Sequence, residues 1–143
     1  MAPAGACAHE PGDDRRRTLR GSRRRCSPVA RRRLARAERA GIGAPTLAEA
    51  SLEISTATGK DVQGMLARFV QELDLTVIPF SDAHSRAAVE AFRLYGRGRS
   101  KAGLDLGECL AYATARLARQ PLLADDPRFA RTDLELVETR SEP

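Results

Sequence analysis

The chain has no tryptophan, and aromatic residues make up only 4% of its 143 positions. Base stacking on aromatic rings is thereby excluded as its main mode of nucleic-acid binding, and any such contact has to be largely electrostatic. Cysteine is scarce as well. Cys7, Cys26 and Cys109 are odd in number and show no C-x-x-C spacing, which suggests neither a disulfide framework nor a zinc site and fits a reducing cytoplasm. No run approaches the ~18 apolar residues of a membrane-spanning helix, and the first segment lacks the apolar centre of a secretory leader. Membrane association and secretion are unsupported, and a cytoplasmic location is expected.

What is present suffices for one domain: 42% of the residues are hydrophobic, and the core has to come from Leu, Ala, Val and Ile. The formal net charge of +5 hides an asymmetry. Residues 1–40 hold 12 arginines against four acidic residues, whereas residues 41–143 hold 12 basic and 15 acidic side chains. The head is strongly basic and the remainder mildly acidic. Residues 1–33 show neither a helical nor an alternating apolar pattern, so weak structure is expected there. The arginines read either as an RNA-attracting arm or as a solvated tail.

Regular patterning begins later. Leu34–Ala40 could finish a helix, and Ile42–Ala44 suggests a short strand entering Pro45. Thr46 is placed to cap a helix running to about Ala57, with Glu49 in its first turn. Asp61 opens a second amphipathic helix through Val62, Met65, Leu66, Phe69 and Val70. Leu75–Ile78 is β-branched and apolar and reads as a buried strand ending at Pro79. Ser81 and Asp82 begin a helix to about Tyr95 that carries His84 in its first turn, as a solvent-facing or capping histidine with no Ser or Cys placed to partner it in catalysis. Helices alternating with short apolar strands argue an α/β domain with three layers and a central parallel sheet.

The stretch from Gly98 to Ala130 is the informative one. Asp105 precedes an apolar-periodic run and Glu108 falls three residues later, the pattern of a capping box. Pro121 blocks continuation of that helix, Leu122–Ala124 has the look of a buried parallel strand, and Asp125 and Asp126 follow at its carboxyl edge. Each acid alone has a plain explanation in capping, a turn before Pro127, or, for Glu49, the helix dipole. Gathered in the crevice beyond the carboxyl ends of parallel strands, they would form a pocket of like charge that stays ionised only around a cation. An all-oxygen donor set suits Mg²⁺ or Mn²⁺. Arg97, Arg99 and Lys101, between glycines just ahead of the acidic helix, form either a solvated loop or a flexible rim for phosphate groups.

These residues carry a family resemblance. The string Gly96-Arg97-Gly98-Arg99-Ser100-Lys101-Ala102-Gly103-Leu104-Asp105-Leu106-Gly107-Glu108-Cys109, then Pro121-Leu122-Leu123 and Phe129-Ala130-Arg131-Thr132-Asp133, resembles the C-terminal half of PIN-domain ribonucleases of the VapC toxin type. Those proteins usually read Gly-(Arg/Lys)-Gly, then Ala-Gly-Leu-Asn-Phe-Gly-Asp-Cys, then Pro-Leu-Leu, an acidic pair and Phe-Ala-x-Thr-Asp. Ala44-Pro45-Thr46-Leu47-Ala48-Glu49-Ala50 resembles a second family segment whose glutamate joins the acidic cluster. The resemblance covers roughly residues 41–138.

It implies the PIN fold and a metal-dependent endoribonuclease toxin of a VapBC-type pair. Glu49, Glu108 and Asp126 would be the catalytic metal-holding acids, with Asp125 as an alternate, serving in-line attack on an RNA phosphodiester. It also implies a cognate antitoxin or a second subunit docking on the helices that start at Thr46 and Asp61, and a homodimer. Three departures stand out. Glu108 occupies a position where the family has Asp. Pro127 and Arg128 stand where many of its members carry acids. The family's first strand, with its Asp-Thr-Ser or Asp-Ser-Ser motif, is missing or aberrant, and Asp13 and Asp14 are poor substitutes. An aberrant N-terminus, such as a misassigned start, fused to a normal PIN remainder is therefore expected, with a domain division at residue 40. The departures leave a second reading, a catalytically impaired remnant that acts only by binding an antitoxin or RNA, and a third, RNA binding through the arginine head.

Overall fold

The computed structural model describes Ala2–Pro3 and residues 28–137. Its elements are β1 (Ala2–Pro3), α1 (Pro28–Arg36), β2 (Ala40–Gly43), α2 (Ala44–Thr58), α3 (Gln63–Glu72), β3 (Leu75–Ile78), α4 (Asp82–Tyr95), α5 (Leu106–Ala118) and a 3₁₀ turn at Pro127–Arg131. The three strands form a parallel sheet in the order β1-β2-β3, with Ala2 opposite Ala40, and Ala40 opposite Leu75. The expected α/β architecture with a parallel sheet is the one observed.

The alternation of β2 explains how helices reach both of its faces. Ala40 and Ile42 join Leu75, Leu123 and the α1 residues Ala30 and Leu34 in one buried cluster, which Leu47, Phe69 and Val70 flank. The intervening glycines present no side chain, and a Cβ at Gly43 would stand 2.9 Å from the Thr114 hydroxyl oxygen of α5. The absence of a side chain thus lets α5 lie directly over the strand. A second cluster joins α5 to α4 through small residues, Ala88, Ala91 and Ala113, and closes over Leu104, Leu122 and Phe129. Burying side chains of this kind contributes on the order of 2 kcal/mol for each large one.

Several local expectations change. Helix α1 already runs from Pro28, within the stretch expected to be weakly structured, because Ala30 and Leu34, one helical turn apart, give it a buried side despite its arginines. Thr46 does not cap α2; Gly43 is the N-cap, Pro45 sits in the first turn, and Thr46 is buried inside the helix. Leu122–Ala124 is buried as expected, yet its pairing with Leu136 is a single parallel bridge, held by Leu122 N to Glu135 O at 2.8 Å and Val137 N to Leu122 O at 2.9 Å. As for the missing first strand, the described β1 is a two-residue stub without an acid. Asp13 and Asp14 lie outside the described residues.

Candidate active site

The site is built on the N-terminus of α5. Asp105 is the N-cap; its Oδ1 accepts from Glu108 N at 2.9 Å, and Glu108 Oε2 accepts from Asp105 N at 2.8 Å. This reciprocal pair fixes the Glu108 side chain while leaving Oε1 for another partner. The second carboxylate arrives from the chain beyond Leu122–Ala124. Asp126 caps the 3₁₀ turn by accepting from Arg128 N at 2.9 Å, and it is buried, whereas its neighbour Asp125 is exposed. Of the two adjacent acids, Asp126 is the one facing Glu108's neighbourhood.

Arg128 joins them. Its Nη2 donates to Glu108 Oε1 and, at 2.7 Å, to Asp126 Oδ2. Its Nε lies 3.1 Å from both Asp126 oxygens, and its Nη1 donates to Gly103 O at 3.1 Å. The Glu108 and Asp126 side chains are 3% and 4% exposed, and that of Arg128 is 22% exposed. Burial pushes the Glu108 carboxyl above its ordinary range, and the nearby Asp105 and Asp126 charges push the same way; the Asp105 backbone hydrogen bond and Arg128 act against them. The hydrogen bond to Asp126 holds Arg128 even more firmly protonated.

Glu49 reaches this corner from α2. A Cβ at Gly107 would stand 2.6 Å from Glu49 Oε2 and 2.8 Å from its Cδ, so the carboxylate lies against the first turn of α5, next in sequence to Glu108. Arg97, Arg99 and Lys101 are exposed on the adjoining loop. That loop is closed by its own backbone, with Arg97 N to Leu104 O at 3.0 Å and Arg99 N to Gly96 O at 2.9 Å, and is tied to the 3₁₀ turn by Arg131 donating to Lys101 O at 2.8 Å. Gly98 and Gly103 take positive φ values of 75° and 60°, which the loop path requires. These hydrogen bonds brace the rim against the 3₁₀ turn.

Two other groups are accounted for. His84 is a capping histidine as expected, although a serine does meet it: Ser81 Oγ lies 2.8 Å from Nδ1 and Ser81 N donates to Nδ1 at 3.1 Å, the contacts of a helix capping box. Cys109 is buried beside Glu108, and desolvation raises its thiol to about 11, which keeps it unreactive. The part of Arg128 in the carboxylate cluster was not visible in the sequence. Its only signal there was a cation two residues after an acid in a capped turn.

The donor set can be tested against a divalent ion. The oxygen donors gathered here are carboxylates, a type that suits a hard cation. Among the described residues no three acidic, His or Cys side chains stand ready as a metal cage; the guanidinium of Arg128 stands between Glu108 and Asp126 instead. The residues fit a metal in kind.

Comparison with known proteins sets the class. The PIN domain family matches residues 23–135, and the fold resembles a chain from a toxin-antitoxin complex of Klebsiella pneumoniae, with a TM-score of 0.59 at 19% identity over 81% of this chain and 88% of that one. Ribonuclease VapC36 of Mycobacterium tuberculosis is 40% identical over 94 residues, 66% of this chain and 68% of the relative. Ribonuclease VapC of Mycolicibacterium smegmatis is 32% identical over 89 residues, 62% of this chain and 69% of the relative. The chain belongs to the PIN-domain family, among its VapC-type ribonucleases. PIN-domain VapC nucleases are, as a class, dependent on divalent metal ions.

Proposed function

We propose that this chain is the endoribonuclease toxin of a VapBC-type pair and hydrolyses RNA phosphodiester bonds with Mg²⁺ or Mn²⁺ held by Glu108, Asp126 and Glu49. The observation that carries the reading is the convergence of Glu108 and Asp126, two buried carboxylates from separate elements, at the capped N-terminus of α5. Burying two acids side by side is costly unless a cation accompanies them. When bound, the metal supplies Lewis acidity toward the phosphoryl oxygens and a more acidic water.

The chain's own residues supply the rest. Asp105 fixes the Glu108 rotamer through the capping box, the 3₁₀ turn fixes Asp126, and Gly107 leaves room for the Glu49 carboxylate. Asp125, exposed at the edge, serves as the alternate ligand. Arg97, Arg99 and Lys101 hold the phosphates flanking the scissile bond from the braced rim. The exposed Leu52 of α2 and Met65 of α3 lie where a cognate antitoxin docks, and the toxin pairs as a homodimer. No helix among the described residues is long and apolar enough to cross a membrane.

The test is cleavage of RNA by the purified full chain in Mg²⁺. EDTA and Glu108→Gln should each abolish it. Antitoxin binding that persists with no EDTA-sensitive cleavage in the unaltered protein would instead identify a binding remnant.

A further inference from the structure

Among the described residues, Arg128 brings a positive charge into direct contact with the carboxylate cluster. Arg128 places all three guanidinium nitrogens on the site: Nη2 between Glu108 and Asp126, Nε on Asp126, and Nη1 on the Gly103 carbonyl.

We propose that Arg128 is a built-in counter-ion that holds the place of the divalent cation, so that a metal gains Glu108 and Asp126 only by displacing its guanidinium. This builds on the metal-dependent reading above and concerns how the metal is admitted. The two carboxylates are almost wholly buried, and a buried acid pair without a neutralising cation is strongly unfavourable. In the metal-free protein the guanidinium is that cation. Its side chain is more exposed than the two carboxylates, so it enters from the solvent side and its long stem can swing outward without disturbing the core.

Metal affinity and metal-free stability then depend on Arg128 in opposite senses. Removing the guanidinium destabilises the metal-free protein and opens the site to a metal. Placed outward, the displaced guanidinium would lie beside the loop bearing Arg97, Arg99 and Lys101, where an RNA phosphate is the anion at hand.

The experiment is titration of the full chain with MnCl₂, followed by calorimetry and by melting temperature with and without the ion, for the unaltered protein, Arg128→Gln and Arg128→Lys. Arg128→Gln is expected to bind Mn²⁺ at least ~10-fold more tightly than the unaltered protein, to melt lower without metal, and to gain more in melting temperature when Mn²⁺ is added. Arg128→Lys, which keeps one charge but loses the fork, should fall between. If Arg128→Gln does not fold without metal, Arg128→Lys carries the comparison. Unchanged or weaker Mn²⁺ binding in the folded variants overturns the proposal, and EDTA-sensitive RNA cleavage by the unaltered protein would then leave the nuclease reading standing. Absence of Mn²⁺ binding in all three proteins overturns both.

Discussion

Helix α5 carries two arginine–carboxylate networks, one at each end, and they differ in almost everything except composition. At the N-terminus Arg128 bridges Glu108 and Asp126, whose side chains are 3% and 4% exposed. Towards the C-terminus Arg116 pairs with Asp133 at 2.6 Å, with side chains 55% and 43% exposed, and Tyr112 donates to the same Asp133 at 2.6 Å. The second network satisfies itself in contact with water, its acid met by a cation and by tyrosine hydroxyls. The first brings two acids to one cation and removes them from water. The exposed network latches the chain after the 3₁₀ turn onto α5, whereas the buried one holds a local charge imbalance whose use is chemical.

Substitutions that should separate the two ends most widely act on RNA cleavage. Glu108→Gln keeps the shape of the capping residue and removes the charge, and should lower the EDTA-sensitive rate by about a hundredfold or more. Asp133→Asn should leave that rate nearly unchanged when both are assayed on the same RNA. A large loss in Asp133→Asn would erase the distinction.

Stability should differ next. Truncating Arg128 to Ala leaves two buried acids without their cation and should cost about 3–5 kcal/mol in metal-free urea denaturation. Arg116→Ala breaks a solvent-exposed pair and should cost about 0.2–1 kcal/mol. Equal costs would mean that burial is not what distinguishes the ends.

A smaller effect sharpens the latch itself. The Tyr112 hydrogen bond, the largest influence, holds the Asp133 carboxyl below its ordinary value of 3.8 against the opposing effect of partial burial, and the Arg116 charge adds to the lowering. A depressed carboxyl contributes stability that is present above about pH 3.8 and is lost as the pH falls through the lowered value. Tyr112→Phe should therefore cost about 1 kcal/mol at neutral pH, and the gap to the unaltered protein should narrow on acidification, as read from denaturation at a series of pH values. A gap that widened in acid would contradict this assignment. Asp105→Ala removes one half of the capping box at a cost of about 1 kcal/mol. Its cleavage defect should exceed what that loss of stability explains, because Glu108 loses its anchor.

Sequence patterns carried much of this structure where the determinants are local. Asp105 and Glu108 stand three apart, and Ser81 precedes a run with apolar spacing; both spacings encode caps that form within a single turn. Leu75–Ile78 is a strand, as the β-branched Thr76, Val77 and Ile78 ahead of Pro79 suggest, but it is not the buried strand expected, because only Leu75 is buried. Of the readings that changed, one turned on immediate neighbours and the others on distant contacts. Thr46 had the right type for a cap but lies after Pro45, which prefers the first helical turn, and Gly43 takes the cap instead. Leu122–Ala124 was recognisable as buried, but its partner, Leu136, contributes only one bridge. The arginines of α1 masked Ala30 and Leu34, whose burial depends on the strands they meet.

At the candidate site, Glu108, Asp126 and Glu49 were legible as acids at element ends, and their convergence at α5 was an expectation from the parallel-sheet crevice. The choice between Asp125 and Asp126 was not legible, because adjacent residues differ only in which way the turn points them. Nor was the bond from Arg128 to Glu108, which spans 20 residues and exists only once the chain after Ala124 has folded back beneath α5.

The most direct test is anomalous diffraction from crystals of the full chain soaked in MnCl₂. A Mn²⁺ peak between the Glu108 and Asp126 carboxylates, with the Arg128 guanidinium turned out of its present position, is the predicted result. No peak there, with Arg128 still bridging the two acids, would contradict it.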